Sequence, residues 1–421
     1  MTLLHAQKPR SIGAEELFKL GIENSLKLKS DRINVAIAND EETLSKNSRL
    51  PTISLNLAGG YLGKFTVYKH GLTDPSYPYM PNWDQNYNIS LEQPIYEGGK
   101  IKKGIEKATI QNELIELSLH KDRADLKLAL MGKYLELFRW YKQHEVVSRN
   151  IEEAEQRLHD MQSMKKQGMI TGNDLIRSEL QLNNLNLMLR EVKDNIQITS
   201  QQLDIALGLN ENLVLKPDEK LLEQTPPIEP IDSYVQQAYL QFPELQIVNS
   251  EIKLARKQEE IVKAGYLPSL SLHAGNELVR PIINTFPVLD MFYNSWNVTM
   301  KFSYNLSSLY QNPKKVNIAR QAISYQMVQK EQQEQNIRLN IKSAFIKHQE
   351  ALDKVDVLTQ SVKQTEENYR IVYNRYKNNL AILTDLLDAS GVKLDAEMQL
   401  TTAKTSALYT HYQLLRMSGT L

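Results

Sequence analysis

Cysteine is absent from the chain. That single absence removes disulfides, thiolate metal sites, cysteine nucleophiles and an N-terminal lipidated cysteine. It leaves the compartment open, because a chain without cysteine tolerates any redox poise. A net field is missing too. The 50 Lys and Arg balance the 50 Asp and Glu of the 421 residues, so bulk charge does not draw the chain to nucleic acid or to an anionic membrane surface. No apolar run approaches the roughly 18 residues of a membrane-spanning helix, so any membrane crossing has to be made by strands. A full signal peptide is also lacking. Leu3-Leu4-His5-Ala6 before Gln7 reads either as the tail of one or as an ordinary cytosolic start.

Signs of catalysis are equally scarce. Gly98-Gly99-Lys100 ends like a phosphate loop, but Pro94 stands where that loop needs glycine and Ile101 replaces its Ser or Thr. A flexible strand-to-helix corner explains the glycines better. His144-Glu145 begins a zinc-protease pattern, yet Ser148 occupies the place of its second histidine. No nucleophile has an adjacent base. The expectation is a protein that is not an enzyme and has no cofactor and no metal site.

What the chain does contain is a strand pattern written twice. In WNVTMKFSYNL, residues 296 to 306, Trp296, Val298, Met300, Phe302, Tyr304 and Leu306 alternate with polar residues. A period of two places them on one face of a strand. An earlier strand in WDQNYNISLEQPIYEGGK puts Tyr87, Ile89 and Leu91 on one face likewise. RLPTISLNL (49 to 57) returns as YLPSLSLHA (266 to 274), and KKQGMITGNDLIRS (165 to 178) returns as YKNNLAILTDLLDA (376 to 389). Each half therefore reads helix, strand, strand, long helix, tip, helix. The division expected is a first repeat over 1–208, a proline-rich linker or equatorial belt over 209–233, and a second repeat over 234–421.

The helices carry heptads. Leu130, Leu137, His144, Ile151 and Leu158 recur every seven residues, as do Leu175, Leu182, Leu189, Ile196 and Leu203 after the tip. Ile341, His348, Val355, Val362, Tyr369 and Tyr376 repeat the device, and Leu380, Leu387 and Leu394 follow. Such a period specifies coiled-coil packing. A helix from about Lys100 to Lys166 spans on the order of 100 Å, and the helix after the tip only about half of that. The N-terminal helix, about Gly13 to Ser48, has the missing length and could stack end to end with it. About Pro243 to Gly265 offers the same in the second half.

Strands of about ten residues with one dry and one wet face suit a membrane β-barrel. Four cannot close one, since about eight are needed to leave even a filled interior. Bilayers tolerate only closed sheets, so the membrane reading requires oligomers, and three chains are the smallest assembly with room for a wide pore. The Tyr- and Pro-rich stretches 59–82 and 275–295 would lie outside the cell or form an interfacial belt, with Trp83 and Trp296 as belt residues.

Together QPIYEGGKIKKGIEKA (93 to 108), the two Leu-Pro strand entries and the two tips resemble the TolC family of outer-membrane channels. The resemblance runs from about Gly13 to Leu415. It implies a mainly α chain with a β-barrel portion, internally duplicated. Its long coiled-coil helices would form a trimeric α-barrel capped by a shared 12-stranded transmembrane β-barrel, four strands per chain. It further implies the outer membrane of a Gram-negative bacterium, with extension into the periplasm and contacts with outer-membrane lipid. Partners would be a periplasmic adaptor (membrane fusion) protein and an inner-membrane transporter, in drug efflux or in type I protein secretion.

By position the resemblance places Asp385 and Asp388 on an aspartate ring, and Asp174 and Tyr376 in a gate-closing hydrogen-bond network. Ala381 stands where that network usually has a basic residue, so the latch must differ. Asn379 replaces a tip glycine and still tolerates a left-handed backbone. The adaptor would meet the tips, Gly168, Met169, Ile170, Thr171, Gly172 and Asn173 in one and Asn379, Leu380, Ala381, Ile382, Leu383 and Thr384 in the other. The aspartates have a plainer role open to them. Asp174 and Asp385 follow polar Asn173 and Thr384 and could serve only as helix N-terminal caps or dipole partners.

The reading is a passive trimeric efflux channel whose barrel faces lipid through Tyr87, Ile89, Leu91, Trp296, Val298, Met300, Phe302 and Tyr304. Its rival is a soluble coiled-coil scaffold with a water-exposed sheet, which would leave a large apolar patch uncovered. Cell fractionation separates the two. The chain should stay with membranes until detergent is added, and recovery in the soluble fraction would leave the scaffold.

Overall fold

A computed structural model describes residues 10–64, 66–211, 213–223, 228–285 and 288–421. The leader-like residues Leu3 to Gln7 lie outside the described residues. In chain order the elements begin β1 (Arg10–Ile12), α1 (Ala14–Asn24), α2 (Leu26–Asn47), β2 (Thr52–Tyr61), β3 (Val67–His70), β4 (Thr73–Ser76), β5 (Trp83–Glu97), α3 (Lys100–Lys166) and α4 (Gly172–Leu207). They continue as β6 (Leu215–Pro217), a 3-10 turn (Glu219–Glu223), α5 (Ile231–Gln241), α6 (Pro243–Ala264), β7 (Ser269–Arg280), β8 (Tyr293–Ser303), α7 (Ser308–Lys377) and α8 (Leu383–Ser418).

The two halves match almost residue for residue. Helices of 11, 22, 67 and 36 residues in the first are answered by helices of 11, 22, 70 and 36 in the second. The N-terminal helix is not continuous as expected. It breaks at extended Ser25, whose Oγ accepts from Leu28 N at 3.3 Å. The second half breaks at extended Phe242, because the residue before a proline avoids the helical region. The four long helices after the strands carry the expected tips at their turns.

Two compact units cut across this duplication. One holds 34–115 and 248–329, and the other holds the described residues to Ile33 together with 116–247 and 330–421.

The first of these units carries one four-stranded antiparallel sheet in the order β2-β5-β7-β8. Its central contact joins the halves, pairing Ile89 with Asn276 and Leu91 with Ala274. The register sorts side chains by polarity, with Asn276, opposite Ile89 and Trp296, a polar exception on the apolar face. Ile53, Leu55 and Leu57 stand opposite Leu91, Ile89 and Tyr87, while Leu272 and Ala274 stand opposite Met300 and Val298. All share one face. The other face carries Ser54, Asn56, Asn88, Ser90, His273 and Thr299, with Asn86 Nδ2 donating to Glu277 Oε1 at 3.0 Å. Tyr304 falls just past the end of β8, because the Asn305 side chain accepts from Ser307 N at 3.1 Å and turns the chain into α7. Gly98 (φ 62°) makes the corner before α3, and a Cβ there would meet Ala264 O at 2.7 Å.

In the second unit the stretch expected as a belt is pinned to α3. β6 pairs in parallel with β1. The buried Tyr134 hydroxyl donates to Ile12 O at 2.8 Å and accepts from Asp218 N at 2.9 Å. Tyr141 OH donates to Leu215 O at 3.0 Å. Ser200 Oγ accepts from Leu215 N at 2.7 Å and donates to Leu213 O at 3.1 Å. Around these bonds Ile12, Leu17, Leu130, Met131, Leu203, Leu207 and Leu215 form the main core.

One carboxylate sits in this core at a cost. Asp204 is fully buried and neither oxygen has a partner among the described residues. Burial pushes its pKa up to about 6, against a weaker pull from Arg10. The folded chain therefore keeps a proton across a window, from about 4 to about 6, where the unfolded chain has released it, and stability falls as pH rises through that window. Asp204→Asn should flatten this slope by about 2–3 kcal/mol. Unfolding midpoints of parent and variant in detergent at pH 4 and pH 8 check it, and equal pH dependence would refute it.

Candidate gate at the helical tips

Both tips are built the same way. After α3, Gly168 takes a left-handed φ of 75°, and Met169 N donates back to Met164 O at 3.0 Å. After α7, Asn379 takes φ 59°, and Leu380 N donates back to Arg375 O at 2.8 Å. These are the closing bonds of a Schellman turn. Each tip then opens the next helix through an aspartate at its third position. Thr171 Oγ1 accepts from Asp174 N at 3.2 Å, while the Asp174 carboxylate accepts from Thr171 N at 3.0 Å and from Thr171 Oγ1 at 2.7 Å. That is a complete capping box. Asp385 has only its half of one, accepting from Ile382 N at 3.4 Å, because the residue before α8 is apolar.

The tips meet. Arg177 Nη1 donates to Thr384 Oγ1 at 3.1 Å, and Met161, Tyr376, Leu383 and Leu386 are buried together with Ile170, Leu175 and Ala381 packed round them. Gly172, Asn173 and Thr384 are exposed beside them. Met169, Leu380 and Ile382 are left exposed, at 47%, 68% and 65%. Tyr376 is inside the cluster, its hydroxyl without a hydrogen-bond partner among the described residues. Burial raises its pKa and the nearby charge of Asp174 adds to that. Within one chain, then, Asp174 and Tyr376 lie close without bonding. Asp385 and Asp388 are both exposed, three residues apart at the start of α8 and so on one face. Among the described residues no group of three or more metal-ligating side chains occurs.

The sequence model of the family described as outer membrane efflux protein matches residues 234–420. The second half of the chain is thus similar to that family. No curated protein matches it in sequence. Solved structures share its fold over nearly the full length. The outer membrane protein VceC of Vibrio cholerae superposes with a TM-score of 0.78 at 14% identity, covering 96% of each chain. The Campylobacter jejuni CmeC outer membrane channel gives 0.74 at 17% identity over 97% of this chain and 85% of that one. The open state of the Neisseria gonorrhoeae MtrE outer membrane channel gives 0.75 at 15% over 96% and 88%. The family is one of efflux proteins in the outer membrane rather than of enzymes.

Within this chain, the ties between helices near the tips come from residues that periodicity alone overlooked. Gln143, Asn150 and Arg157 recur every seven residues on α3 and all are buried. Arg157, 2% exposed, donates to Tyr369 OH and to Gln181 Oε1, each at 2.9 Å, joining α3 to α7 and α4. Asn150 Nδ2 donates to Glu397 at 2.9 Å, and Arg149 pairs with the same carboxylate at 2.6 Å. Lys393 reaches Glu153 at 2.7 Å and lies 4.9 Å from the centre of the Tyr369 ring. Nearest the tip, burial raises the pKa of Asp160, but Lys377 at 3.2 Å and Tyr373 OH at 3.1 Å outweigh that and hold it below its ordinary value. The available signal was a polar heptad interleaved with the apolar one.

Removing Arg157 strands a tyrosine hydroxyl and an amide in a buried place. Arg157→Met should cost about 2–3 kcal/mol, against about 1 kcal/mol for loss of the cap in Thr171→Ala. Thermal unfolding of the two variants, with hydrogen exchange at 160–180, measures the difference. A cap loss larger than the arginine loss would mean that the tips are held by their turns alone.

Proposed function

We propose that this chain is one third of a passive trimeric channel in a tripartite efflux pump, conducting small molecules from the periplasmic pump assembly to the exterior. The observation that carries the reading is the four-stranded sheet. Leu55, Leu57, Trp296, Val298, Met300 and Phe302 are each more than 60% exposed on one side of it, and among the described residues no strand lies beside the outer edges of β2 and β8. An apolar face needs lipid or protein against it. In lipid the unpaired edges need further strands, since backbone groups there find no water. Three copies joined edge to edge would supply about twelve strands and a polar interior.

The tips support the remaining parts. Exposed Met169, Leu380 and Ile382 would give a periplasmic adaptor an apolar surface, with the inner-membrane transporter behind it. No nucleotide-binding motif occurs in the sequence, so the energy of transport would come from that partner. Three copies of Asp385 and Asp388 about an axis would gather six carboxylates in the opening, attracting cations and repelling anions. Asp385 holds a weak cap bond and Asp388 none, which leaves both free for that role. Asp174 is committed to its own capping box, and its part in the gate would be to sit beside Tyr376.

Single-channel conductance in planar bilayers tests both layers. The parent should conduct with cation preference, and Asp385→Ala plus Asp388→Ala should abolish the preference while conduction remains. Unchanged selectivity would reduce the aspartates to helix-end charges. Failure of detergent-purified protein to insert at all would remove the channel.

A further inference from the structure

The strongest unassigned feature lies away from the tips. A cavity of about 400 Å³ is lined by His120, Arg123 and Lys127 of α3, by Gln241 and Gln246 at the α5–α6 junction, and by Arg416 of α8. The three α3 residues are spaced three and four apart, so they share one face of that helix. Arg416 is already engaged. Its Nε donates to Asp125 at 2.7 Å and its Nη2 to Glu244 at 2.5 Å. Neither carboxylate is bonded to Lys127, whose pKa is lowered by burial and by the like charge of Arg123, and Leu421 also lines the cavity. The Lys127 ammonium is also steered by the Phe18 ring, 5.8 Å from its centre.

Two cations four residues apart on one helix repel each other, and partial burial weakens the water screening that normally makes this harmless. The cavity between them and the Gln241 amide has space for a guest with compensating charge. A guanidinium fork, an ammonium, an imidazole and an amide match the several acceptor oxygens of a dianion better than those of a single carboxylate. The geometry points to a binding site for a small phosphate-class oxyanion, held by Arg123, Lys127 and His120 with Gln241 opposite. The volume exceeds that of bare phosphate, so the guest is either the free ion or the phosphate of a small organic ester. The site does not depend on the channel reading, because its named residues all belong to one chain and binding is read without conduction.

Isothermal titration of the full chain in detergent, at constant ionic strength set with chloride, tests it with inorganic phosphate, glycerol phosphate and succinate. Saturable binding of at least one phosphate probe is expected, about tenfold weaker in Arg123→Gln plus Lys127→Gln and weakened in the exposed single variant Arg123→Gln. The double variant without ligand should melt no lower than the parent, since it has lost a repulsive pair, so weak binding cannot be mistaken for misfolding. Glycerol phosphate binding tighter than phosphate would identify an ester, and the reverse the free ion. No saturable binding of either phosphate by the parent, equal binding by the double variant, or succinate binding as tightly as phosphate would overturn the proposal.

Discussion

The constraint on which the proposed channel rests is a four-stranded sheet with open edges. Backbone amides and carbonyls at an open edge must find partners, and in a bilayer only another strand can provide them. The main sheet has four strands, apolar on one side and polar on the other, and among the described residues no strand pairs with the outer edges of β2 and β8. The duplicated layout is a direct answer to that constraint. Each half brings one pair of strands, and β5 meets β7 so that the pairs fuse into one sheet of constant polarity. A one-residue slip between the halves would have put leucines among asparagines. Twelve consecutive pairings with a single irregularity beside Pro94 prevent it.

Duplication also shapes the helical parts, where the same joint is made twice. Gly208 ends α4 and Gly419 ends α8, both left-handed. A Cβ on either would collide with the break between the paired short helices, Asn24 in one half and the backbone at Gln241 and Phe242 in the other. The short helices are therefore broken where the returning helices end. Between the halves, the belt is held by tyrosine hydroxyls that each satisfy backbone groups of strands too short to persist alone. Those hydroxyls substitute for ladder bonds, which is why Tyr134 is fully buried in a helix that is otherwise half wet.

At the tips, apolar seams and polar ties divide the work. The cluster around Tyr376 supplies burial, and the ladder of Asn150, Glu153, Arg157 and Asp160 fixes which helices lie beside which. Hydrogen-bonded polar groups inside a helical bundle specify register at some cost in stability. Ala381 is packed among apolar residues, Arg177 ties the two tips through Thr384 Oγ1, and further cationic contacts lie along the helices at Arg157, Lys377 and Lys393.

The sequence by itself determined the strand faces, the heptads, the doubled layout and the two tips. Each is a local period or a local turn, and covalent geometry alone converts periods of two and seven into faces. It did so even at Asn379, where a residue that tolerates positive φ marks the turn as well as Gly168 does. Tertiary structure alone decided that β5 neighbours β7, that β1 and β6 pair beside Tyr134 and Tyr141, that the N-terminal helix breaks at Ser25, and that Arg123 and Lys127 share a cavity with Gln241. Those depend on residues distant in sequence meeting in space, which no period along a single segment encodes. Tyr304 marks the boundary between the two kinds of knowledge. The alternation continues through it, but the side chain of Asn305 ends the strand one residue earlier.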